Sequence, residues 1–261
     1  MFLKRGFSRL SHNRGSNFVF LHGGNHGSWC WYRLIEALHS HCNGQILALD
    51  IPGCGTKRAQ LSEDISLSEV ATELIAEVRQ AGIQQAVLVG HSMAGVVMPY
   101  LVQQAPDLFS RMIFVTACVP RPGESVMQTM GTSLRGFDPA VVGYPLDPAT
   151  TEPLALMRAM FAPGLSHKDV QWLLEECAHD HWPMSLAAEP LSVELHKLKI
   201  PKTYIVTERD PILPPAWQGR FAERAGAENQ FSIDAAHEVF LSHPVELADA
   251  ILRALGEGQT Q

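Results

Sequence analysis

The residues best able to do chemistry in this sequence are a serine, a carboxylate and a histidine, in that order along the chain. Ser92 lies in the segment GHSMA, between an apolar run and a helical pattern. A strand, a sharp turn that carries a serine and a helix together form a nucleophile elbow, which raises the hydroxyl above the end of the strand. The pattern therefore predicts nucleophilic catalysis at Ser92.

This turn departs from the G-x-S-x-G pattern at one position, where Ala94 replaces the second glycine. We expect the turn to tolerate this methyl group, because it needs small side chains more than it needs glycine at every position. His91, which precedes the serine, is expected to point away from it and to be structural.

A serine hydroxyl is a weak nucleophile at neutral pH and needs a base that is itself oriented by an acid. Asp210 follows a short apolar run, at the carboxyl end of a predicted strand, where open α/β sheets collect their sites. Glu208 is closer to the strand body and Asp234 belongs to the last strand pattern, so both are weaker candidates. His237, in the loop DAAHE, is the predicted base, and His243 is expected to start the C-terminal helix.

A glycine-rich segment, HGGNHGSW at positions 22–29, follows the first apolar run. A tetrahedral intermediate needs two backbone N–H donors, one following the nucleophile and one from an early loop of this kind. This requirement assigns the oxyanion donors to Met93 and Gly24. The segment contains neither G-x-G-x-x-G nor G-x-x-x-x-G-K-[ST], so it does not indicate a phosphate site.

The elements that must position these residues alternate between short apolar runs and helical patterns. The clearest helix begins with a capping box formed by Ser66 and Glu69. The apolar runs are typical of a helix-covered parallel sheet, and they lie at 18–21, 46–49, 86–89, 112–117 and 203–207. This alternation predicts an α/β fold, with a mostly parallel sheet covered by helices on both faces.

A long, proline-rich stretch without a clear strand separates the runs at 112–117 and 203–207. A βαβ connection seldom needs so many residues, which indicates an insertion. We therefore predict one domain over residues 1–261, with a core at about 17–119 and 200–256 and an inserted lid at about 120–199. The lid is expected to carry at least one helix, at 168–178.

Composition excludes several classes of protein. The chain has 261 residues, 46% of them hydrophobic, and its formal net charge is −7, which does not favour nucleic acid as a partner. The apolar windows are too short to span a membrane. Its five cysteines form no C-x-x-C pair, so they indicate neither a disulfide framework nor a thiolate zinc site, and a reducing, cytoplasmic location is expected.

Two other segments have a competing interpretation. The basic segment 1–16 loosely resembles an organelle transit peptide, but it is short and we interpret it as a tail ahead of the core. The pair His179 and His181 lacks a third ligand, so no metal is predicted.

Six segments resemble the α/β-hydrolases, in particular the branch that holds plant methylesterases, hydroxynitrile lyases and bacterial esterases. They are FVFLHGGNHGSWCWY at 18–32, LALDIPGCG at 47–55, VLVGHSMAG at 87–95, FVTACVPRPGES at 114–125, TYIVTERDPILPP at 203–215 and AHEVFLSHP at 236–244. The resemblance implies the α/β-hydrolase fold and a cofactor-free serine carboxylesterase. It places Ser92, Asp210 and His237 on the triad, and Gly24 and Met93 on the oxyanion hole.

The resemblance also implies a pocket for a small, mainly apolar ester, such as a methyl ester, with a homodimer left open as the assembly. Asn25, Cys118, Trp182 and Glu238 are the candidate pocket residues. Glu238 either faces the pocket, where it would disfavour anionic substrates, or pairs with a lid arginine, Arg135 or Arg158.

Two positions distinguish the chain from the lyases of this branch. Lyases have a lysine where this chain has Glu238 and a threonine where it has Gly23. A carboxylate disfavours a cyanide leaving group, so an esterase is favoured over a lyase. A C–C bond hydrolase and a non-catalytic ligand receptor are the remaining alternatives.

Overall fold

Six strands form one sheet in the computed structural model, which describes residues 15–61, 63–130 and 143–256. The strands are β1 Phe18–Leu21, β2 Ile46–Leu49, β3 Ala86–His91, β4 Phe109–Val115, β5 Lys202–Thr207 and β6 Asn229–Ile233. Their order in the sheet is β2-β1-β3-β4-β5-β6, and neighbouring strands are parallel throughout. This confirms the predicted parallel sheet.

Helices flank this sheet. They are α1 Tyr32–His39, α2 Leu67–Gln80, α3 Ala94–Gln104, α4 Val126–Met130, α5 Pro153–Phe161, α6 His167–Cys177, α7 Met184–Ala188, α8 Pro215–Ala225, α9 Val239–Ser242 and α10 Pro244–Ala254. Helix α1 packs on α10, and α2 packs on α3. Strands β1, β3 and β5 are buried along their whole length, as expected for strands covered on both faces.

The helix boundaries follow local sequence signals. The predicted capping box of Ser66 and Glu69 starts α2. A proline occupies the first turn of α8 and of α10, and His243 is the N-cap of α10, as predicted. Helix α8 ends at Gly226, whose φ of 69° is the left-handed conformation that glycine adopts without strain.

Strand β4 differs from its predicted bounds of 112–117. It begins at Phe109, ahead of the polar residues Ser110 and Arg111 that interrupt the apolar pattern, and its pairing with β3 shifts register at Ser110. It ends at Val115, because Thr116 has a φ of 36° and leaves the extended conformation. The prediction for this strand was therefore wrong at both ends.

Helices α4 to α7 lie in the described part of the stretch between β4 and β5, which the sequence assigns to a lid. The predicted helix at 168–178 is α6, whose bounds are His167–Cys177. Asp180, just beyond α6, accepts hydrogen bonds from Trp29 Nε1 at 2.7 Å, the Gly55 amide at 2.7 Å and Arg58 Nε at 2.6 Å. These bonds attach the end of the stretch to the loops that follow β1 and β2.

Cysteines, metal ligands and hydropathy complete the description. All five cysteines are buried and none is in a disulfide bond; burial raises the pKa of the Cys118 thiol to about 12 and raises that of Cys30 as well. Among residues 15–61, 63–130 and 143–256, no group of three or more His, Cys, Asp or Glu side chains could hold a metal ion. Within the same ranges, no helix has the length and apolar character needed to cross a membrane.

Candidate active site

The turn between β3 and α3 has the geometry of a nucleophile elbow. Ser92 has a φ of 52°, a strained value for a residue other than glycine. Its carbonyl accepts hydrogen bonds from the Gly95 amide at 3.2 Å and the Cys118 amide at 3.0 Å, while its own amide donates to the Val115 carbonyl at 3.3 Å. These bonds hold the strained turn, and Ser92 remains partly exposed.

Ser92, His237 and Asp210 form one hydrogen-bonded line. His237 Nε2 lies 3.0 Å from Ser92 Oγ, and His237 Nδ1 lies 2.6 Å from Asp210 Oδ2. A carboxylate can only accept, so Nδ1 carries the ring hydrogen in the neutral imidazole. The lone pair of Nε2 is then directed at the serine hydroxyl, as a general base requires.

The Asp210 carboxylate is buried and accepts hydrogen bonds from residues at the carboxyl ends of β4 and β5. Its Oδ1 accepts the amides of Ile212 at 2.7 Å and Leu213 at 2.8 Å. Its Oδ2 also accepts the hydroxyls of Thr116 at 2.6 Å and Thr207 at 3.1 Å. Thr116 follows β4 and Thr207 ends β5, so the acid is fixed between the carboxyl ends of two strands.

The competing carboxylates lie outside this line. Glu208 is exposed at the surface. Asp234 is also exposed, and its carboxylate forms an ion pair with Arg209 Nε at 2.7 Å. Of the three carboxylates considered from the sequence, the structure brings Asp210 to the imidazole.

The pKa values of the two buried partners move apart. Burial raises the pKa of Asp210, but the nearby His237 and the donated hydrogen bonds outweigh it and leave the pKa below its ordinary value. Burial lowers the pKa of His237, but the Asp210 charge outweighs it and leaves the pKa above 6.5. Asp210 is therefore ionised at neutral pH and stabilises the protonated imidazole.

His91 is structural, and it supports the histidine of the line directly. It is fully buried, and its Nε2–H donates to the His237 carbonyl at 3.1 Å. The two rings are 4.5 Å apart between centroids. Burial lowers the pKa of His91, so the ring is neutral and its single N–H is committed to that carbonyl.

The loop after β1 brings backbone amides to the serine. A Cβ on Gly23 would lie 2.7 Å from Ser92 Cβ, and a Cβ on Gly24 would lie 2.6 Å from Met93 Sδ. A side chain at position 23 would displace Ser92 itself, so the elbow requires Gly23, whereas at Gly24 the flexible end of the Met93 side chain could move aside. Neither the Gly24 amide nor the Met93 amide donates to an acceptor in the described parts of the chain.

His22 orients the first of these amides. Its Nδ1–H donates to the Gly23 carbonyl at 2.8 Å, and its Nε2 accepts from the Ile51 amide at 3.1 Å. Burial lowers its pKa to about 4, so the ring is neutral and this tautomer is the one that satisfies both neighbours. In a trans peptide the carbonyl and the following N–H point in opposite directions, so the Gly24 N–H points away from His22.

The four candidate pocket residues lie around this centre. Asn25 is half-buried with a φ of 57°, a conformation that asparagine tolerates well. Cys118 is buried, and its backbone supports the elbow. Trp182 is buried with its ring 6.0 Å from His22, edge to face. Their contacts with a substrate, and those of Glu238, stay predictions.

Of the partners considered for Glu238, the pairing with Arg158 was wrong. Glu238 is buried, and its Oε2 lies 3.2 Å from His26 Nε2. Arg158 is exposed on α5 and does not pair with it. Arg135 lies outside the described residues. The pair joins a carboxylate and an imidazole from distant loops, whereas the alternatives considered from the sequence were a carboxylate facing the pocket and a pairing with a lid arginine.

Several contributors to the site were missed from the sequence. Thr116 supports the acid, His26 pairs with Glu238, and Phe161 at the end of α5 stacks 6.2 Å from the His237 ring. Both histidines of the segment HGGNHG could have been considered from the sequence as side chains that form hydrogen bonds within the site. Nothing in the local pattern around Phe161 marks it as a neighbour of the base.

Comparisons with known proteins agree with this architecture. A model of the alpha/beta hydrolase family matches residues 18–250. The chain is 35% identical over 126 residues to a probable esterase of Oryza sativa subsp. indica, covering 48% of each chain. It is 35% identical over 112 residues to methylesterase 2 of Arabidopsis thaliana, covering 41% of each chain.

The chain thus spans about half the length of these curated relatives, at 48% for the rice protein. Among solved structures, an extracellular alpha/beta-hydrolase from a Paenibacillus species superposes with a TM-score of 0.76 at 22% identity, covering 92% of this chain and 98% of that one. That likeness concerns the fold. Because the family model covers nearly all of the described core, the chain belongs to the alpha/beta hydrolase family.

Proposed function

We propose that this protein is a serine carboxylesterase that hydrolyses a small, mainly apolar carboxylic ester through an acyl-enzyme intermediate. The observation that carries the proposal is the hydrogen-bonded line of Ser92, His237 and Asp210. Two backbone amides beside it, those of Gly24 and Met93, donate to no acceptor among the described residues. Several relatives carry the names of methylesterases, which supports a methyl ester as the substrate class.

In the proposed first half-reaction, Ser92 Oγ attacks the ester carbonyl carbon while His237 Nε2 takes the hydroxyl proton. The amides of Gly24 and Met93 donate to the oxygen that becomes negative. His237 then gives its proton to the departing alkoxide, which leaves as an alcohol. Asp210 stabilises the imidazolium and keeps the ring in the required tautomer.

In the second half-reaction, a water molecule replaces the alcohol. His237 takes a proton from this water, whose oxygen attacks the acyl carbon. The tetrahedral intermediate collapses, and Ser92 leaves with the proton from His237. The products are a carboxylic acid and the regenerated enzyme.

A panel of short-chain and aromatic methyl esters tests the proposal, together with fluorophosphonate labelling and peptide mapping. We expect ester turnover and a single labelled residue, Ser92. Labelling at another residue, or cleavage of a cyanohydrin or a diketone by a protein inert to every ester, would contradict the proposal.

The pH dependence of kcat/KM gives a second prediction. His237 must be neutral to accept the serine proton, and its pKa lies above 6.5. We therefore expect kcat/KM to fall tenfold per pH unit below one pKa that lies above 6.5, because the imidazolium has no lone pair to offer. Hydrolysis rates measured from about pH 5 to about pH 9 check this, and an acidic limb at or below the ordinary histidine value would contradict it.

The approach of the early loop to the elbow gives a third prediction. We expect Gly23→Ala to lower kcat by about 10²-fold to 10³-fold, because the new methyl group meets Ser92 Cβ and displaces the Gly24 donor. Steady-state kinetics on the folded variant measure this loss.

The matched control for this change is Gly219→Ala in α8, where no heavy atom lies within 4 Å of the added Cβ. This variant should keep full activity and gain about 0.5–1 kcal/mol in its free energy of unfolding, since alanine is the better helix former. Equal activity in the Gly23 and Gly219 variants would show that the loop contact has no role.

A further inference from the structure

A buried pair of ionisable side chains lies beside the catalytic line without belonging to it. His26 and Glu238 are each 1% exposed, and His26 Nε2 lies 3.2 Å from Glu238 Oε2. The two residues are 212 positions apart in the chain. His26 belongs to the loop that carries Gly24, and Glu238 directly follows His237.

Donor and acceptor roles require a shared proton in this pair. His26 Nδ1 lies 2.8 Å from the Gly24 carbonyl, which can only accept, so Nδ1 carries a hydrogen. A second proton must then lie between Nε2 and the carboxyl oxygen for these atoms to bond. An imidazolium facing a carboxylate meets this requirement and gives each buried charge its counterion.

The surroundings exclude water from the pair. The His26 ring stacks on Trp29 at 5.4 Å, meets Phe161 edge to face at 5.0 Å and lies 6.0 Å from Phe240. Phe161 comes from the stretch between β4 and β5, so that stretch covers the pair. In a site of this kind, removal of one charge leaves the other uncompensated.

The sheet by itself does not hold the two loops together. His26 follows β1 and Glu238 follows β6, and β3, β4 and β5 lie between those two strands in the sheet. Yet the proposed reaction needs the Gly24 donor and the His237 base at one substrate carbonyl. We propose that the His26–Glu238 ion pair joins these loops and makes both residues positioning residues for ester hydrolysis, an inference that rests on the proposed function.

The same contact accounts for the charge of Glu238 beside the base. Its Oε2 faces His26, while its Oε1 has no hydrogen-bond partner among the described residues. The pair therefore compensates a carboxylate that would otherwise stabilise the protonated, inactive form of His237. Among the described residues, the other titratable groups that face the pair are His237, Cys30, His91, His22 and Cys177, whose Sγ lies 3.9 Å from His26 Nε2.

Two single substitutions, His26→Asn and Glu238→Gln, test the contact and the charge of the pair separately. In His26→Asn, the amide nitrogen can replace Nδ1 and keep the bond to the Gly24 carbonyl, but the shorter side chain does not reach Glu238. In Glu238→Gln, the amide can still donate to a neutral His26 Nε2, but the charge is gone. The double variant removes both the contact and the charge.

We expect His26→Asn to lower kcat/KM about tenfold, chiefly through kcat, because it leaves the Glu238 carboxylate buried and unpaired. Glu238→Gln should stay within about threefold of the wild type, since the bridge is conserved. The double variant should regain the part of this loss that the unpaired charge causes, but it should stay below Glu238→Gln because it lacks the bridge between the loops. A double variant that matches Glu238→Gln would overturn the proposal, since loss of the bridge would then cost no activity.

The acidic limb of the kcat/KM profile provides an independent readout. In His26→Asn, the unpaired carboxylate should hold the proton on His237 more tightly and move the limb to higher pH. Adding Glu238→Gln should move the limb back. The control is Glu73→Gln on α2, which removes one of the carboxylates that pair with Lys57. It should leave the limb in place. A limb that stays in place in His26→Asn would overturn the proposal.

Histidine ¹⁵N spectra report the protonation of the His26 ring in the wild type, so the proposal can be tested even if a variant fails to fold. We expect His26 to carry protons on both ring nitrogens at neutral pH and to lose one in Glu238→Gln. One proton on wild-type His26 that is unaffected by Glu238→Gln would refute the ion pair. This readout needs no substrate, so an absence of ester turnover would count against the proposed function alone.

Discussion

Ser92→Ala is expected to lower kcat for ester hydrolysis on the order of 10⁶-fold, the loss typical of removing the nucleophile from a triad that acts as a unit. The methyl group of alanine lacks the oxygen that lies 3.0 Å from His237 Nε2. His237 then has no hydroxyl to deprotonate, although Asp210 and the two backbone amides keep their places. Steady-state kinetics and acyl-enzyme trapping measure the loss.

The control is Ser110→Ala, a change near the amino end of β4, whereas Ser92 follows the carboxyl end of β3. It removes a hydroxyl that bonds to the Gln85 carbonyl and should leave kcat unchanged. A Ser92 variant that keeps more than about one hundredth of the wild-type kcat would refute Ser92 as the nucleophile, since residual catalysis in such variants is far smaller.

Asp210→Asn is expected to lower kcat about 10⁴-fold without unfolding the protein. An asparagine amide that donates to His237 Nδ1 would leave the ring hydrogen on Nε2, where it blocks acceptance of the serine proton. Loss of the negative charge should also move the acidic limb of any residual activity to lower pH, because Asp210 is what holds the pKa of His237 above its ordinary value.

The controls for this change are the two carboxylates that compete with Asp210 in the sequence. Glu208→Gln and Asp234→Asn alter exposed side chains away from the imidazole and should keep kcat within about twofold, as usual for surface changes. A loss in either control that matched the loss in Asp210→Asn would mean that the acid has been assigned incorrectly.

The strand pattern and the order of serine, acid and histidine could be predicted, because each depends on short local signals. Asp210 was separable from Glu208 and Asp234 by its place after a strand, and the structure brings it to the imidazole. The end of β4 was not predictable, since the strand stops where Thr116 turns to reach the acid. A threonine ordinarily favours the extended conformation, so only the tertiary contact reveals its role.

The partner of Glu238 could not be found from the sequence for a similar reason. The nearest cue is the second histidine of HGGNHG, 212 residues earlier, and loop spacing does not say which way such a ring turns. Long-range pairing of this kind depends on strand order and on the aromatic rings packed around it. Charge matching alone favours arginine, which is the commoner partner for a carboxylate.

The five buried cysteines have a consequence for inhibitor design. Because all five cysteines are buried, and burial raises the pKa of the Cys30 and Cys118 thiols, an electrophile in solution has poor access to thiolate on the native molecule. With Ser92 as the proposed nucleophile, the fold itself leaves the serine hydroxyl accessible to an inhibitor and keeps the cysteine thiols buried. Warheads too promiscuous for thiol-rich targets thus become usable against this one.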